Sequence, residues 1–327
     1  MRSYRTARWG VQGVFVLLTA WIGIDFLLFF RQVTAGGAVT VTRPAGVEAF
    51  LPISALMALK RLLVTGLWDD VHPAGLALLI AFLLGGVLAR RAFCSWICPI
   101  GTLSRGLEVV RTRLLRLPPR WAVPTWARRY GPMVKYPLLA GFLWISLSMP
   151  VDSIDLFLHA PFNLGADAAM LRMFAELSVT GMAVLSFLVV LSLVLRNGWC
   201  RLLCPYGALF AAAGALSPFH VQRDPAACHA CGACARACGM GIAVDHLVRV
   251  RSAECTSCLS CLSVCRFDGA LGVVGPTGRI RRPWLVPAGA LAILALAYGL
   301  AQATGHWQSD LSLAAYRFAY LMAGAGH

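Results

Sequence analysis

Long apolar stretches alternate with basic polar segments along the 327-residue chain. A helix needs about 20 apolar residues to cross the hydrocarbon core of a bilayer, and five stretches come close to that length. They are Val11–Phe30, Pro73–Leu88, the stretch 132–150, Leu177–Leu195 and Trp284–Ala303. The pattern predicts an all-α integral membrane protein with about five transmembrane helices.

Two further apolar stretches do not fit a span. Ala49–Leu67 contains Lys60 and Arg61. Leu311–Gly324 is short and contains Arg317. Polar interruptions of this kind favour helices that lie in the membrane interface or re-enter the membrane. We therefore expect both stretches to contact lipid, with Lys60 and Arg61 at the headgroups.

Composition agrees with a membrane protein, and the charge distribution gives an orientation. Hydrophobic residues make up 59% of the chain, and its formal net charge is +15. Of the 29 Lys and Arg residues, 23 fall in the segments 1–10, 90–135 and 196–283. Since basic loops stay in the cytoplasm, these segments are predicted to be cytoplasmic in a bacterial inner membrane. No soluble basic domain with aromatic platforms is evident, which excludes nucleic acid as a partner.

The spacing C-x2-C-x2-C-x3-C occurs twice, at 228–238 and at 255–265. In bacterial two-cluster ferredoxins, three closely spaced cysteines bind one [4Fe–4S] cluster and the fourth binds the other. The predicted ligands are Cys228, Cys231, Cys234 and Cys265 for one cluster, and Cys255, Cys258, Cys261 and Cys238 for the other. Zinc ribbons also use paired C-x2-C elements, but they rarely place three cysteines at successive x2 spacings. Two [4Fe–4S] clusters on an inserted α+β ferredoxin segment are therefore expected.

A second motif, C-x3-C-P, also occurs twice, as Cys94, Cys98 and Pro99 and as Cys200, Cys204 and Pro205. Each copy follows a predicted span, so it is expected at the membrane surface, where the proline can begin a new helix. Three interpretations stay open for these four cysteines. They could hold a third cluster, they could form a redox dithiol or Cu(I) site, or they could be buried structural cysteines.

Ionisable residues near the predicted spans are candidates for quinone contact or proton transfer. Asp25 lies within the first span, and His72 immediately precedes the second. An interfacial position for Asp25 and a solvated loop around His72 are the alternatives. Trp96 and Lys135 are expected to anchor the chain at the membrane interface. No catalytic residue is assigned.

The order of these motifs resembles a known family. C-x3-C-P turns at span ends, a double ferredoxin motif and a last span are similar to the membrane polyferredoxin family of the NapH, NosR and CcoG type. The resemblance covers about residues 70–305. It is strongest to the short quinol-dehydrogenase membrane component, because no outside loop is long enough for a flavin-binding domain.

The resemblance implies a membrane-bound electron-transfer protein. It would pass electrons between the quinone pool and a partner redox protein or subunit through [4Fe–4S] clusters. Other members accompany the assembly of copper enzymes, so copper reduction or maturation of a respiratory metalloenzyme is the alternative function.

The expected domain organisation follows from the motifs. A membrane domain covers 1–219, and a cytoplasmic ferredoxin-like domain covers 220–280. The last transmembrane helix, 284–303, and an interfacial segment occupy 281–327.

Overall fold

A computed structural model describes residues 3–116 and 130–325 of the chain. This part of the chain is mostly helical and contains one small sheet. The helices are α1 (Ser3–Ala35), α2 (Pro52–Thr65), α3 (Pro73–Ala89), α4 (Ala92–Trp96), α5 (Pro99–Val109), α6 (Lys135–Ser148), α7 (Val151–Leu158), α8 (Pro161–Leu164), α9 (Ala166–Ala175), α10 (Val179–Val194), α11 (Pro205–Ala215), α12 (Ala233–Ala237), α13 (Ser260–Val264), α14 (Leu285–Ala303) and α15 (Leu313–Ala325). The strands are β1 (His220–Arg223), β2 (Arg249–Val250), β3 (Leu271–Gly275) and β4 (Gly278–Ile280).

Apolar helices occur at all five predicted spans, but they differ in length. Among the described residues, Tyr4–Ala35 and Leu285–Ala303 are each long and apolar enough to cross a membrane. Two bent pairs pass the same test together, α6 with α7 at 105° and α9 with α10 at 81°. Helix α3 is apolar but shorter. The chain is therefore a membrane protein with two to four candidate spans, and the count of five stays a prediction.

The apolar surface of α1 is consistent with a lipid environment. Leu17 and Trp21 are 72% and 68% exposed. Apolar side chains that are exposed in a row favour contact with lipid over water. The bend between α6 and α7 lies at Pro150, because proline has no N–H to continue the helical hydrogen bonding.

The described chain divides into two compact units. The first unit comprises Met1–Val16, Phe82–Leu139 and Ser186–Leu294 and contains all twelve cysteines. Residues 117–129, which belong to the predicted cytoplasmic loop 90–135, lie outside the described residues. The second unit comprises Leu17–Ala81, Ala140–Leu185 and Ala295–His327.

The ferredoxin segment of the first unit has the expected α+β architecture. Its four strands are antiparallel, in the order β2-β1-β3-β4, with Val221 opposite Val273 in the central pair. Helices α12 and α13 are one short helix from each cysteine repeat, and they pack against each other. Cys234, Val244 and Val250 are buried in the core between helices and sheet. Each repeat therefore supplies an equivalent half of the segment.

The second unit is built around buried ion pairs. Arg43 lies 2.6 Å from Glu48 and 2.7 Å from Asp167, and all three side chains are almost completely buried. Tyr320 on α15 donates a hydrogen bond to Asp167 at 3.1 Å. Apolar residues Phe26 and Phe29 of α1 pack beside this network. The ion pairs and this hydrogen bond thus join three segments that are far apart in the sequence.

Lys60 and Arg61 have protein partners. The Lys60 ammonium donates to the carbonyl of Leu147 at 2.8 Å. Arg61 is buried and pairs with Asp155 at 2.8 Å. The expectation of headgroup contact is therefore wrong for Arg61, because a carboxylate of the same unit takes the place of the lipid phosphate.

Arg43→Met should destabilise the second unit by about 3–5 kcal/mol, because it leaves two buried carboxylates without their cation. Thermal unfolding of the purified full chain in detergent, followed by circular dichroism, measures the loss. Arg31→Met, at an exposed position of the same unit, is the control and should change stability by less than about 0.5 kcal/mol. Equal effects of the two substitutions would contradict the role given to Arg43.

Candidate metal centres

The first predicted ligand set surrounds one cavity. That cavity is lined by Cys228, Cys231, Cys234 and Cys265. Cys231 is exposed, and His229 stacks on Phe267 beside it with ring centroids 4.1 Å apart. These four cysteines therefore form a set close to the surface, which we call set 1.

The second predicted ligand set surrounds another cavity. It is lined by Cys238, Cys255, Cys258 and Cys261. Burial raises the pKa of Cys255 to about 11. We call these four cysteines set 2. The two cysteines that follow α12 and α13 are exchanged between the sets, as the crossed ligand pattern predicts.

The turns between the ligand cysteines have the same conformation in both repeats. Ala230 and Ser257 have positive φ values of 50° and 46°. Two residues further along, Gly232 and Leu259 have φ values of 68° and 55°. Left-handed residues in such turns direct successive backbone N–H groups into a concave surface that favours anions. The backbone is thus shaped to surround a negatively charged group.

The four cysteines of the C-x3-C-P turns are brought together as a third set. Cys98 and Cys204 each precede a helix, α5 and α11, that begins with proline, as predicted. Burial, together with the neighbouring Cys94, raises the pKa of Cys98 to about 12. Burial likewise raises the pKa of Cys200, with contributions from Cys98, Cys204 and Cys94. Since the neighbouring thiols contribute to the shifts of Cys98 and Cys200, the four cysteines lie close together, and we call them set 3.

Two glycines allow the turns of set 3 to close. A Cβ on Gly101 would clash with the carbonyl oxygen of Cys94. A Cβ on Gly207 would lie 3.1 Å from the carbonyl oxygen of Cys200. The Gly207 N–H also donates to the sulfur of Cys204 at 3.3 Å. Each glycine stands three residues after the second cysteine of its motif, so the two turns are built alike.

Buried cations lie beside set 3. Arg91 donates to the Cys200 carbonyl at 3.3 Å and pairs with Glu254 at 2.7 Å. Lys135 pairs with the same carboxylate at 2.6 Å, and neither cation is exposed to solvent. Lys135 is therefore held by Glu254 and does not extend to an interface as expected. One carboxylate between two cations leaves net positive charge beside the thiols.

Set 2 has its own buried cation. Arg8, 1% exposed, donates to the Cys258 carbonyl at 2.9 Å and to the Ser260 hydroxyl at 3.0 Å. The Ser260 hydroxyl lies 3.4 Å from the Cys258 sulfur. Although burial raises the pKa of Cys258, Arg8 and Ser260 outweigh it, and the net shift is downward. Negative charge on this sulfur is therefore stabilised.

Side chains around the first C-x3-C-P turn hold the backbone of set 2. Ser95 donates to the Thr256 carbonyl at 2.7 Å, and Trp96 donates to the Ser257 carbonyl at 3.2 Å. Trp96 is thus buried within the first unit and is not the interface anchor that the sequence suggested. A cavity of about 290 Å³ is lined by Cys94 and Cys200 of set 3 and by Cys258 of set 2. Sets 3 and 2 therefore share a cavity wall.

The donor sets fit iron–sulfur clusters. Within residues 3–116 and 130–325, no three His, Cys, Asp or Glu side chains are close enough to hold a single metal ion. Each four-cysteine set instead consists of soft thiolate donors with nearby N–H groups or cations, which suits an anionic iron–sulfur group. Buried thiols ionise together when metal ions compensate their charge.

The quinone or proton candidates lie in the second unit, in different surroundings. Asp25 is half-buried and accepts a hydrogen bond from Trp21 of its own helix. His72 is buried, with Nε2 at 3.0 Å from the Asn163 carbonyl and Nδ1 at 3.6 Å from Glu48. His72 therefore belongs to the network of Arg43 and is not part of a solvated loop.

Sequence patterns did not identify the charged residues around these sites. By charge alone, Arg8 and Arg91 are basic residues of loops, and no pattern assigns a role to Glu254. Their nearness to the cysteine motifs is the sequence feature that could point to such a role. Arg91 lies three residues before Cys94, and Glu254 lies directly before Cys255.

Comparison with known proteins agrees with this chemistry. A family described as 4Fe–4S binding domain matches residues 71–118 and 177–223, and each range contains one C-x3-C-P turn. YccM of Escherichia coli K12, named as a candidate electron transport protein, is 36% identical over 97% of this chain and 90% of its own length. No solved structure matches the chain.

More distant relatives share parts of the chain. NirI of Paracoccus denitrificans is 28% identical over 83% of this chain, a match that spans 40% of NirI. The ferredoxin-type protein NapH of Haemophilus influenzae is 27% identical over 66% of this chain and 73% of its own length. The resemblance to membrane ferredoxin-type proteins is thereby confirmed.

The environment of His72 predicts a pH dependence of stability. Burial lowers the pKa of His72, but Glu48 more than reverses this, and the net shift is upward. A raised pKa means that protonated His72 stabilises the fold fully below about pH 6.5, its ordinary value, and that this contribution disappears as the pH rises through the folded-state pKa. The thermal midpoint of the full chain should therefore fall between pH 6 and pH 9.

His72→Gln should remove most of this pH dependence. His159→Gln is the control, because His159 is partly exposed and its contacts with Asp70 and Asp155 are screened by water. An unchanged pH profile in His72→Gln would show that another group titrates.

Proposed function

Since the chain belongs to the family of membrane ferredoxin-type proteins that includes YccM, NirI and NapH, we propose that it passes electrons between the quinone pool and a partner redox protein. Membrane iron–sulfur electron transfer, the predicted activity, is confirmed by this kinship and by the matching 4Fe–4S domain. The quinone, the partner and the number of clusters are the parts that we propose. The observation that carries them is the adjacency of three four-cysteine sets in one compact unit.

Set 1 and set 2 would each hold one [4Fe–4S] cluster. When bound, such a cluster accepts and releases single electrons. Cys238 and Cys265 connect the two sets, because each ends one repeat and lines the cavity of the set whose other three cysteines come from the other repeat. The residues therefore supply a fixed arrangement in which neither site can move without the other.

Set 3 would hold a third cluster. Its support is the match of the 4Fe–4S domain to the two segments that contain these four cysteines. The cavity that Cys94 and Cys200 share with Cys258 supports an order in which set 2 lies between set 3 and set 1. Arg8 contributes positive charge beside set 2, and Arg91 contributes it beside set 3. Both charges stabilise negative charge at the neighbouring set.

Exposure distinguishes set 1 from set 2. Cys231 of set 1 is exposed, whereas set 2 is held by buried Arg8 and Trp96. A soluble redox partner could therefore approach set 1 more closely than set 2. We propose set 1 as the end that meets the partner protein.

His72 is the proposed proton acceptor for a quinol, with Asp25 as the second candidate. Oxidation of a quinol releases protons as well as electrons, so a quinone site needs a titratable group. Neutral His72 can take up a proton, and its contact with Glu48, which Arg43 fixes in place, stabilises the protonated form that results. No described contact links Asp25 to this network, which makes His72 the stronger candidate.

The proposed orientation places the twelve cysteines in the cytoplasm, below a bacterial inner membrane. Its support is the concentration of basic residues in the segments that flank the cysteine motifs. A cytoplasmic site is reducing, which keeps thiols available for iron.

The full chain should contain about twelve iron atoms and twelve labile sulfides, four of each for every cluster. Cys94→Ala combined with Cys200→Ala should lower iron by about four atoms, because two ligands of set 3 are lost. Thr277→Ala, in the exposed turn between β3 and β4, is the control and should keep the full content. Metal analysis after anaerobic purification measures both.

About eight iron atoms in the unsubstituted chain would exclude a third [4Fe–4S] cluster. Eight iron atoms together with stoichiometric copper that is lost in the Cys94→Ala, Cys200→Ala chain would instead support the copper function.

Anaerobic addition of a quinol analogue should reduce the purified chain, as seen by loss of cluster absorbance and by EPR. His72→Gln should slow this reduction by about 100-fold, the usual contribution of a positioned general base. His159→Gln should react at the unsubstituted rate. If dithionite reduces the protein and the quinol does not, the quinone part of the proposal is wrong.

A further inference from the structure

The cavity shared by sets 2 and 3 is strongly basic. Six arginines line it, namely Arg5, Arg8, Arg91, Arg105, Arg113 and Arg196. Among the described residues that line it, Glu108 is the one carboxylate, and it already pairs with Arg196. We call this space the arginine cavity. Its walls therefore carry a large excess of positive charge.

The arginines differ in their partners. Arg8 and Arg91 lie against sets 2 and 3, so the proposed clusters would offset their charge. Arg5 and Arg113 are exposed and have no carboxylate partner among the ion pairs of the described residues. Arg105 stacks on Trp9, 5.6 Å from the ring centre. The part of the cavity near Arg5, Arg105 and Arg113 thus keeps its charge whatever sets 2 and 3 hold.

One buried donor also lacks a partner. Arg8 is 1% exposed, and its Nε has no hydrogen-bond acceptor among the residues that the structure describes. A buried N–H without an acceptor costs about 1–3 kcal/mol, and more when the group is charged. An acceptor within the cavity would remove this cost.

The chemistry of the walls favours a phosphate. Guanidinium groups present planar pairs of N–H donors that match phosphate oxygens. Trp9 and Val109 add apolar surface beside them. Arg5, Arg8 and Gln12 belong to the first turns of α1, which is long and apolar enough to span a membrane. Basic pockets beside the ends of transmembrane helices bind the head groups of anionic lipids.

We propose that the arginine cavity is a binding site for a phosphate-bearing anion. Arg5, Arg105 and Arg113 bind the phosphate, and Trp9 packs against the group that carries it. Two sources have this chemistry, the head group of an anionic phospholipid and a soluble phosphate compound. The site is independent of the quinone proposal, since His72 and Asp25 belong to the other unit.

Two binding measurements on the purified full chain test the site and separate the sources. In the first, nanodiscs contain phosphatidylcholine with a small fraction of phosphatidylglycerol, and native mass spectrometry counts the lipids that remain after transfer to neutral detergent. In the second, equilibrium dialysis measures binding of inorganic pyrophosphate. The unsubstituted chain should keep one phosphatidylglycerol, or bind one pyrophosphate, per molecule.

Arg5→Gln combined with Arg113→Gln should weaken this binding by about 25-fold, since one arginine beside an anionic phosphate contributes about fivefold. Arg249→Gln combined with Arg251→Gln is the matched control, because it removes two exposed arginines that do not line the cavity. The control should bind as tightly as the unsubstituted chain.

Each outcome decides the proposal. Retained phosphatidylglycerol that is lost in the Arg5→Gln, Arg113→Gln chain supports a lipid head group as the source. Pyrophosphate binding with the same dependence supports a soluble phosphate. The proposal is overturned if the unsubstituted chain binds neither, or if the two double substitutions affect binding equally.

Discussion

Side chains next to the first C-x3-C-P turn donate hydrogen bonds to the backbone that carries set 2, and the first unit depends on this connection. Arg90 donates to the carbonyls of Val250 and Ser252, and Ser95 donates to that of Thr256. Buried carbonyls of a ligand loop have no water to bind, so each needs a protein donor. The donors come from the same short segment as Cys94. The position of set 2 relative to set 3 is therefore fixed by the backbone chemistry of the ferredoxin loop itself.

The cysteine spacing was enough to predict which thiols come together. In bacterial two-cluster ferredoxins, three cysteines at x2 spacing bind one cluster, and the fourth, beyond a short helix, binds the other. The structure has Cys238 and Cys265 exchanged between cavities in this way. The helices that begin at Pro99 and Pro205 were equally predictable, because proline is suited to the first helical turn. Cysteine spacing and the preference of proline for the first helical turn depend only on residues close together in the sequence, so these features can be predicted without the tertiary structure.

The charged partners could not be predicted, because they join residues that are far apart in the chain. Arg43 and Asp167 are separated by 124 positions, and Lys135 and Glu254 by 119. Hydropathy treats each of these residues as a polar interruption and so expects contact with water or headgroups. Burial against a carboxylate is the other way to satisfy such a charge, and only tertiary structure selects between them.

Buried cations also change the meaning of the charge bias along the sequence. The predicted orientation depends on the count of basic residues, because basic loops stay in the cytoplasm. Arg8, Arg91 and Lys135 contributed to that count, yet all three are buried beside cysteine sets or Glu254. Their charge has a local role, because an anionic site in a low-dielectric interior requires compensation. A segment that carries iron–sulfur ligands near a membrane is then basic for two physical reasons, topology and electrostatics. Among the exposed arginines, Arg249 and Arg251 bear on orientation, whereas Arg5 and Arg113 also line the arginine cavity.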